Sequence, residues 1–111
     1  MTIHVTRHDN AVVVAASGRL DAVTASQFGK QLQEVIDGGS TRVVVDFQEL
    51  QYISSAGIRE LLAPAKLLQQ KGGHFGVANL NANVASVFEM CCLDRVLAVH
   101  GTVPQALAAI A

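Results

Sequence analysis

Residues 42–62 read RVVVDFQELQYISSAGIRELL, and the stretch changes its period halfway. Arg42–Phe47 has a continuous apolar centre, as a strand covered on both faces should have. After a short loop, Ile58, Leu61, Leu62, Ala65 and Leu68 share one face of a helix. Between the two stand the adjacent hydroxyls of Ser54 and Ser55, followed by Ala56 and Gly57. A buried strand delivered straight into a helix is half of a β-α-β unit, so this stretch sets the fold class.

Working outward, IHVTRHDNAVVVAAS reads as two strands joined by a turn at Asp9-Asn10. Gly18 breaks that run, and RLDAVTASQFGKQLQEVI turns helical, with Phe28, Leu32, Val35 and Ile36 on one face. Thr24 followed by Gln27 fits a capping box at the helix start, and Gly38-Gly39 stop it. Downstream, Gly72-Gly73 end the second helix, and HFGVANL reads as a strand. NANVASVFEMCC reads as a short helix capped by Asn81 or Asn83. RVLAV is a last strand; TVPQALAAI is a last helix, with Thr102 near its cap and Pro104 in its first turn.

The order β-β-α-β-α-β-α-β-α predicts an α/β fold. Its sheet is mixed but mostly parallel, of about five strands, with four helices packed against it through right-handed crossovers. Pro64 breaks the pattern. In a helix interior it removes a backbone bond at a cost of roughly 3 kcal/mol, so a kink is expected there, with the Glu60 carbonyl left free.

With 111 residues the chain suits one domain, and 50% apolar with 15% charged residues is ample for a core. Eight Lys and Arg against nine Asp and Glu leave a net charge of -1, with the cations scattered along the sequence. No basic patch stands out, so nucleic-acid binding is not expected. MTIHVTRHDN has no apolar signal region, and the run AVVVAA is too short to span a bilayer. A cytoplasmic protein without membrane insertion is the expectation. Cys91 and Cys92, as sequence neighbours, make no disulfide framework; they read as small apolar residues packed at a helix end.

The serine pair admits three readings. One serine suits an N-cap, worth ~1 kcal/mol, and a cap needs no second hydroxyl. A phosphoryl group on the second would lie over the unpaired amides of the helix start, a favourable place for an anion. Arg59, four residues after Ser55, shares its helical face and could reach that group. A hydrolase nucleophile fits poorly, because S-S-A-G-I lacks the G-x-S-x-G elbow. The histidines (His4, His8, His74, His100) form neither a triad nor a metal spacing, and no phosphate-cradling glycine motif occurs. Asp46 and Asp21 each follow an apolar position, and either could be a turn-forming carboxylate. Asp46 is equally suited to a turn-forming carboxylate or to a site at the strand C-termini.

The segments GRLDAVTA, VVVDFQELQYISSAGIRELL and LDRVLAVHGTVPQALAAI together resemble a stand-alone STAS domain of the bacterial anti-sigma factor antagonist type. The likeness covers nearly the whole chain, residues 1–111 as one STAS domain, and YISSAG followed by an aliphatic residue is its most specific mark. It implies a partner-switching protein rather than an enzyme. Unphosphorylated antagonist holds a serine kinase that doubles as anti-sigma factor; phosphorylation releases it, and a PP2C-type phosphatase resets the cycle. In the family pattern Ser55 occupies the acceptor position, with Ser54 before it and Ala56 and Gly57 after it. The resemblance further implies that Asp21, Ser54, Ser55 and Ile58 face the partner, that Arg59 neighbours the phosphosite, and that the free protein is a monomer. It implies no cofactor or metal, ATP being used by the partner kinase. Three departures stand out: Ser54 where many members carry Asp, Pro64 inside the second helix, and Cys92 where relatives often end the third helix with glycine. The alternatives are a constitutive STAS scaffold of a transporter or signalling assembly, with the serines only as caps, and a small-ligand module.

Overall fold

The computed structural model describes residues 1–8 and 11–110. Strands β1 (Thr2–His8) and β2 (Ala11–Leu20) pair antiparallel, and the turn expected at Asp9-Asn10 lies outside the described residues. β2 is the spine of the sheet. Its first half, Val12–Ala15, pairs in parallel with Val43–Asp46 of β3 (Arg42–Asp46). Its second half, Arg19 and Leu20, pairs in parallel with Tyr52 and Ile53 of β4 (Leu50–Ile53). The change of partner falls at Gly18, whose φ of +98° is open to glycine and strained for any other residue. Beyond β3 the sheet continues in parallel through β5 (His74–Ala78) and β6 (Ala98–His100).

The consecutive valines of β2 and β3 alternate between two apolar layers. Val12, Val14, Val43 and Val45 meet Phe28, Leu32 and Ile36 of α1 (Ala25–Asp37) and Leu61 and Leu68 of α2 (Ser55–Gln70). Val84 and Phe88 of α3 (Ala82–Met90) complete that layer. On the opposite face, Val13, Val44 and Ala78 pack on Ala106 of the short α4 (Val103–Ala109). Full burial of each large side chain contributes roughly 1.5–3 kcal/mol, so the two-sided valine runs hold the centre of the sheet.

Several expectations are met at their residues. Asn81 caps α3, its Oδ1 accepting the Val84 N–H at 2.9 Å, and Thr102 caps α4 by accepting the Gln105 N–H at 3.2 Å. Gly38 and Gly39 follow α1, and Phe28, Leu32 and Ile36 are buried. Pro64 is buried inside α2, which stays helical on both sides of it as far as Gln70.

Others are corrected. The sheet has six strands, because β4 forms where a short loop was expected. Leu50 and Ile53 are its buried residues and stand three apart, so the stretch carries no period-two signal. The capping box at Thr24 does not form. Thr24 makes no side-chain cap; its hydroxyl donates to the Arg19 carbonyl at 2.7 Å and accepts the Asp21 N–H at 3.0 Å. The last strand is shorter and later than RVLAV, since Leu93–Arg95 wind into a single 3-10 turn that buries Leu93. Cys91 and Cys92 are exposed rather than packed, and Cys92 sits at φ +55°, the left-handed position that closes many helices.

Candidate functional site

The C-terminal ends of β2 and β4 bring Asp21 and the serine pair together. The Ser54 N–H donates to the Leu20 carbonyl at 2.9 Å, extending the β2–β4 ladder by one rung into the start of α2. There the two serines part company. Ser54 is the N-cap, its Oγ accepting the Gly57 N–H at 3.3 Å, and it is half-buried. Ser55, the first helical residue, is exposed. The hydroxyl of Ser54 is occupied by the fold, whereas that of Ser55 projects from an electropositive helix start.

Gly57 makes this ledge possible. A Cβ at that position would stand 2.7 Å from Leu20 Cγ, 3.0 Å from the Leu20 carbonyl oxygen and 3.1 Å from Ile53 Cγ1. Only glycine lets the first turn of α2 approach β2 so closely.

Asp21 follows the end of β2, next in the chain to the Leu20 carbonyl that holds Ser54. Its Oδ1 accepts the N–H groups of Val23 at 3.0 Å and Thr24 at 3.1 Å, closing the turn into α1. The backbone donors of Thr24 and then Val23 hold its carboxyl below the ordinary value of 3.8, with Arg19 adding a smaller pull. Its Oδ2 is left to Arg19, whose Nε stands 3.9 Å away. The same guanidinium lies 4.3 Å above the ring of Tyr52, its neighbour across the β2–β4 ladder. Tyr52 is partly exposed, and Val23, at the tip of the turn, is 84% exposed.

The remaining candidates separate. Arg59 lies exposed on α2, one turn beyond Ser55, as the spacing predicted. Ile58, expected at a partner surface, is instead buried in the core cluster beneath α2, because the helical face carrying Leu61 and Leu68 carries it too. Asp46 resolves toward the turn role: its Oδ1 accepts the Gln48 N–H at 3.1 Å and Asn79 Nδ2 at 2.9 Å, tying the ends of β3 and β5. It also borders a cavity of about 270 Å³ lined by His4, Ala15, Ser17, Gln48 and Glu49. Among the described residues no group of three His, Cys, Asp or Glu is placed to hold a metal ion, and no helix is long and apolar enough to cross a membrane.

Arg19, Tyr52 and Val23 border the candidate site and were not singled out by sequence reasoning. The first two are 33 positions apart and meet only through the β2–β4 register. The third carried one signal, an apolar side chain inside a polar turn.

Comparison with known proteins bears on the whole arrangement. The family model described as Mlab, STAS domain, matches residues 3–100. A Bordetella bronchiseptica protein named as the anti-sigma factor antagonist BtrV is 34% identical over 90 residues, covering 81% of this chain and 78% of that protein. A crystal structure of an anti-sigma factor antagonist from Mycobacterium paratuberculosis superposes with a TM-score of 0.91 at 28% identity, covering 98% of this chain and 92% of that one. The Bacillus protein SpoIIAA shares the fold in its unphosphorylated form, with a TM-score of 0.83, 21% identity and coverage of 98% and 96%. Its phosphorylated form does so with a TM-score of 0.75, 20% identity and coverage of 99% and 100%. By the family model that matches residues 3–100, the 34% identical relative and the shared fold, this chain belongs to the STAS domain family.

Proposed function

We propose that this STAS domain is an anti-sigma factor antagonist, a binding protein switched by phosphorylation of Ser55. One observation carries the reading: of two adjacent serines, Ser54 is engaged as a helix cap and Ser55 is exposed on the first turn. Relatives named as anti-sigma factor antagonists, and a structural neighbour that exists with and without phosphate, support it. In this reading the unphosphorylated surface around Asp21 and Ser55 holds a serine kinase that is also an anti-sigma factor. The kinase uses ATP to phosphorylate Ser55, and a PP2C-type phosphatase removes the group.

The physical case is one of asymmetry. A dianion over the first turn of α2 meets favourable backbone donors, so the fold tolerates it. Across an interface it meets whatever faces Ser55, and like-charge juxtaposition there costs several kcal/mol. A penalty of ~3 kcal/mol weakens binding more than a hundredfold, which suffices to release a partner without a large change of shape. Incubation with the cognate kinase and ATP, followed by mapping of the phosphate by mass spectrometry, tests the assignment. Phosphate on another residue, or normal cycling by Ser55→Ala, refutes it.

A constitutive scaffold is the second reading, favoured by the Ser54 cap, which uses a hydroxyl without any chemistry. A scaffold keeps its partner when Ser55 becomes Asp; the switch loses it.

A further inference from the structure

Arg19 occupies a position that neither capping nor core packing explains. Its guanidinium lies 4.3 Å above the Tyr52 ring, and its Nε is 3.9 Å from Asp21 Oδ2. Both attachments are light. The side chain is 60% exposed, and cation–π stacks and ion pairs in water are weak. Asp21 does not depend on Arg19, because its Oδ1 is already held by the backbone N–H groups of Val23 and Thr24.

The hydrogen bond from Ser54 N–H to the Leu20 carbonyl keeps residues 19–21 alongside residues 52–54 up to the start of α2. Ser55 is one residue beyond that bond. A phosphoryl group on Ser55, with about -1.5 to -2 charges and three strong acceptor oxygens, would stand one residue past the ladder that carries the Arg19–Asp21 pair. The long, 60% exposed side chain of Arg19 is the group free to swing toward it. A guanidinium binds such a group through two parallel N–H donors, a geometry that the ring of Tyr52 and a carboxylate oxygen at 3.9 Å do not offer.

Resting on the reading of Ser55 as phosphoryl acceptor, we infer that Arg19 is a two-position cation, stacked on Tyr52 beside Asp21 when Ser55 is free and drawn onto the phosphoryl group when Ser55 carries one. Arg59 supplies a second cation from the helix's own face, one turn along α2. Its movement leaves Tyr52 untouched, whereas that of Arg19 uncovers the ring and removes the cation from Asp21. Phosphorylation then changes which side chains the surface presents, as well as its charge. A partner that binds only the phosphorylated form gains an open aromatic face and a bare carboxylate to recognise.

The experiment installs phosphoserine at position 55 during translation of the full chain and reads the Tyr52 ring by NMR. Tyr52 is the only tyrosine, so isotopic labelling of tyrosine rings reports on it alone. Backbone amide shifts at residues 55–57 verify that the phosphoryl group is in place. Phosphoserine is expected to move the Tyr52 ring resonances to where Arg19→Ala puts them without phosphate. It should add no further shift in Arg19→Ala and should act in full in Arg59→Ala. Ring resonances that stay still on phosphorylation, or that move equally in the Arg19→Ala background, overturn the inference. Because the phosphate is installed without a kinase, either result leaves the acceptor assignment standing; that assignment fails separately, in the kinase reaction.

Discussion

Gly57→Ala is the substitution most directly read from the geometry, with Gly29→Ala as its counterpart. A methyl at 57 would stand 2.7 Å from Leu20 Cγ and 3.0 Å from the Leu20 carbonyl oxygen. Leu20 is fully buried, and its carbonyl holds the Ser54 N–H, so neither can retreat without breaking the rung that positions the serines. Overpacking of this kind costs about 1–3 kcal/mol. Replacing a helical glycine by alanine returns up to about 1 kcal/mol, and less than that in a first turn. The net is a loss of roughly 1–2 kcal/mol, which at about 4–8 °C per kcal/mol for a domain near this size lowers Tm by roughly 5–15 °C. At position 29 a methyl would meet only the carboxylate end of Glu60, a flexible group that can swing aside. There the helix propensity dominates, and a gain of up to about 1 kcal/mol is expected. Urea denaturation followed by circular dichroism measures both. Equal effects of the two substitutions, or a Gly57→Ala protein as stable as the parent, would show that the close approach of α2 to β2 does not constrain the ledge.

Three further outcomes follow from the same geometry. Ser54→Ala removes the cap on α2 and should cost ~1 kcal/mol, while Ser55→Ala should stay within about 0.5 kcal/mol; chemical denaturation separates the two serines by stability alone. The Asp21 carboxyl, held below its ordinary value of 3.8 in the folded chain, contributes stability that is present above that value and is lost as pH falls through the lower folded one. Asp21→Asn keeps an acceptor oxygen for the Val23 and Thr24 N–H groups, so a stability-versus-pH series should lose part of its acid slope without losing the turn. Cys92→Gly relieves a side chain held at φ +55° and should stabilise the protein by up to about 1 kcal/mol, seen as a raised urea midpoint with an unchanged slope.

The parts of the candidate site that one segment encodes were readable in advance. Ser54 and Ser55 sit at a helix start because a buried strand precedes them and an apolar helical face follows. The division of labour between them was not readable, since either could have capped α2. Thr24 shows the same limit from the other side. Its spacing to Gln27 fits a capping box, but the nearby Arg19 carbonyl and Asp21 amide take its hydroxyl first. Local propensity proposes partners, and whichever group the folded chain brings nearer wins.

Taken alone, the sequence determined the alternation of strands and helices, the two-faced burial of the valine runs and the placing of a serine pair at a helix start. These follow from side-chain period and chain punctuation, which act over a few residues. Tertiary structure alone decided the rest. It added β4 by pairing a stretch with no strand period to the far half of β2, and stacked Arg19 on a tyrosine 33 residues away. Those outcomes depend on register between distant strands, a quantity set by the packing of the whole sheet and written in no single segment.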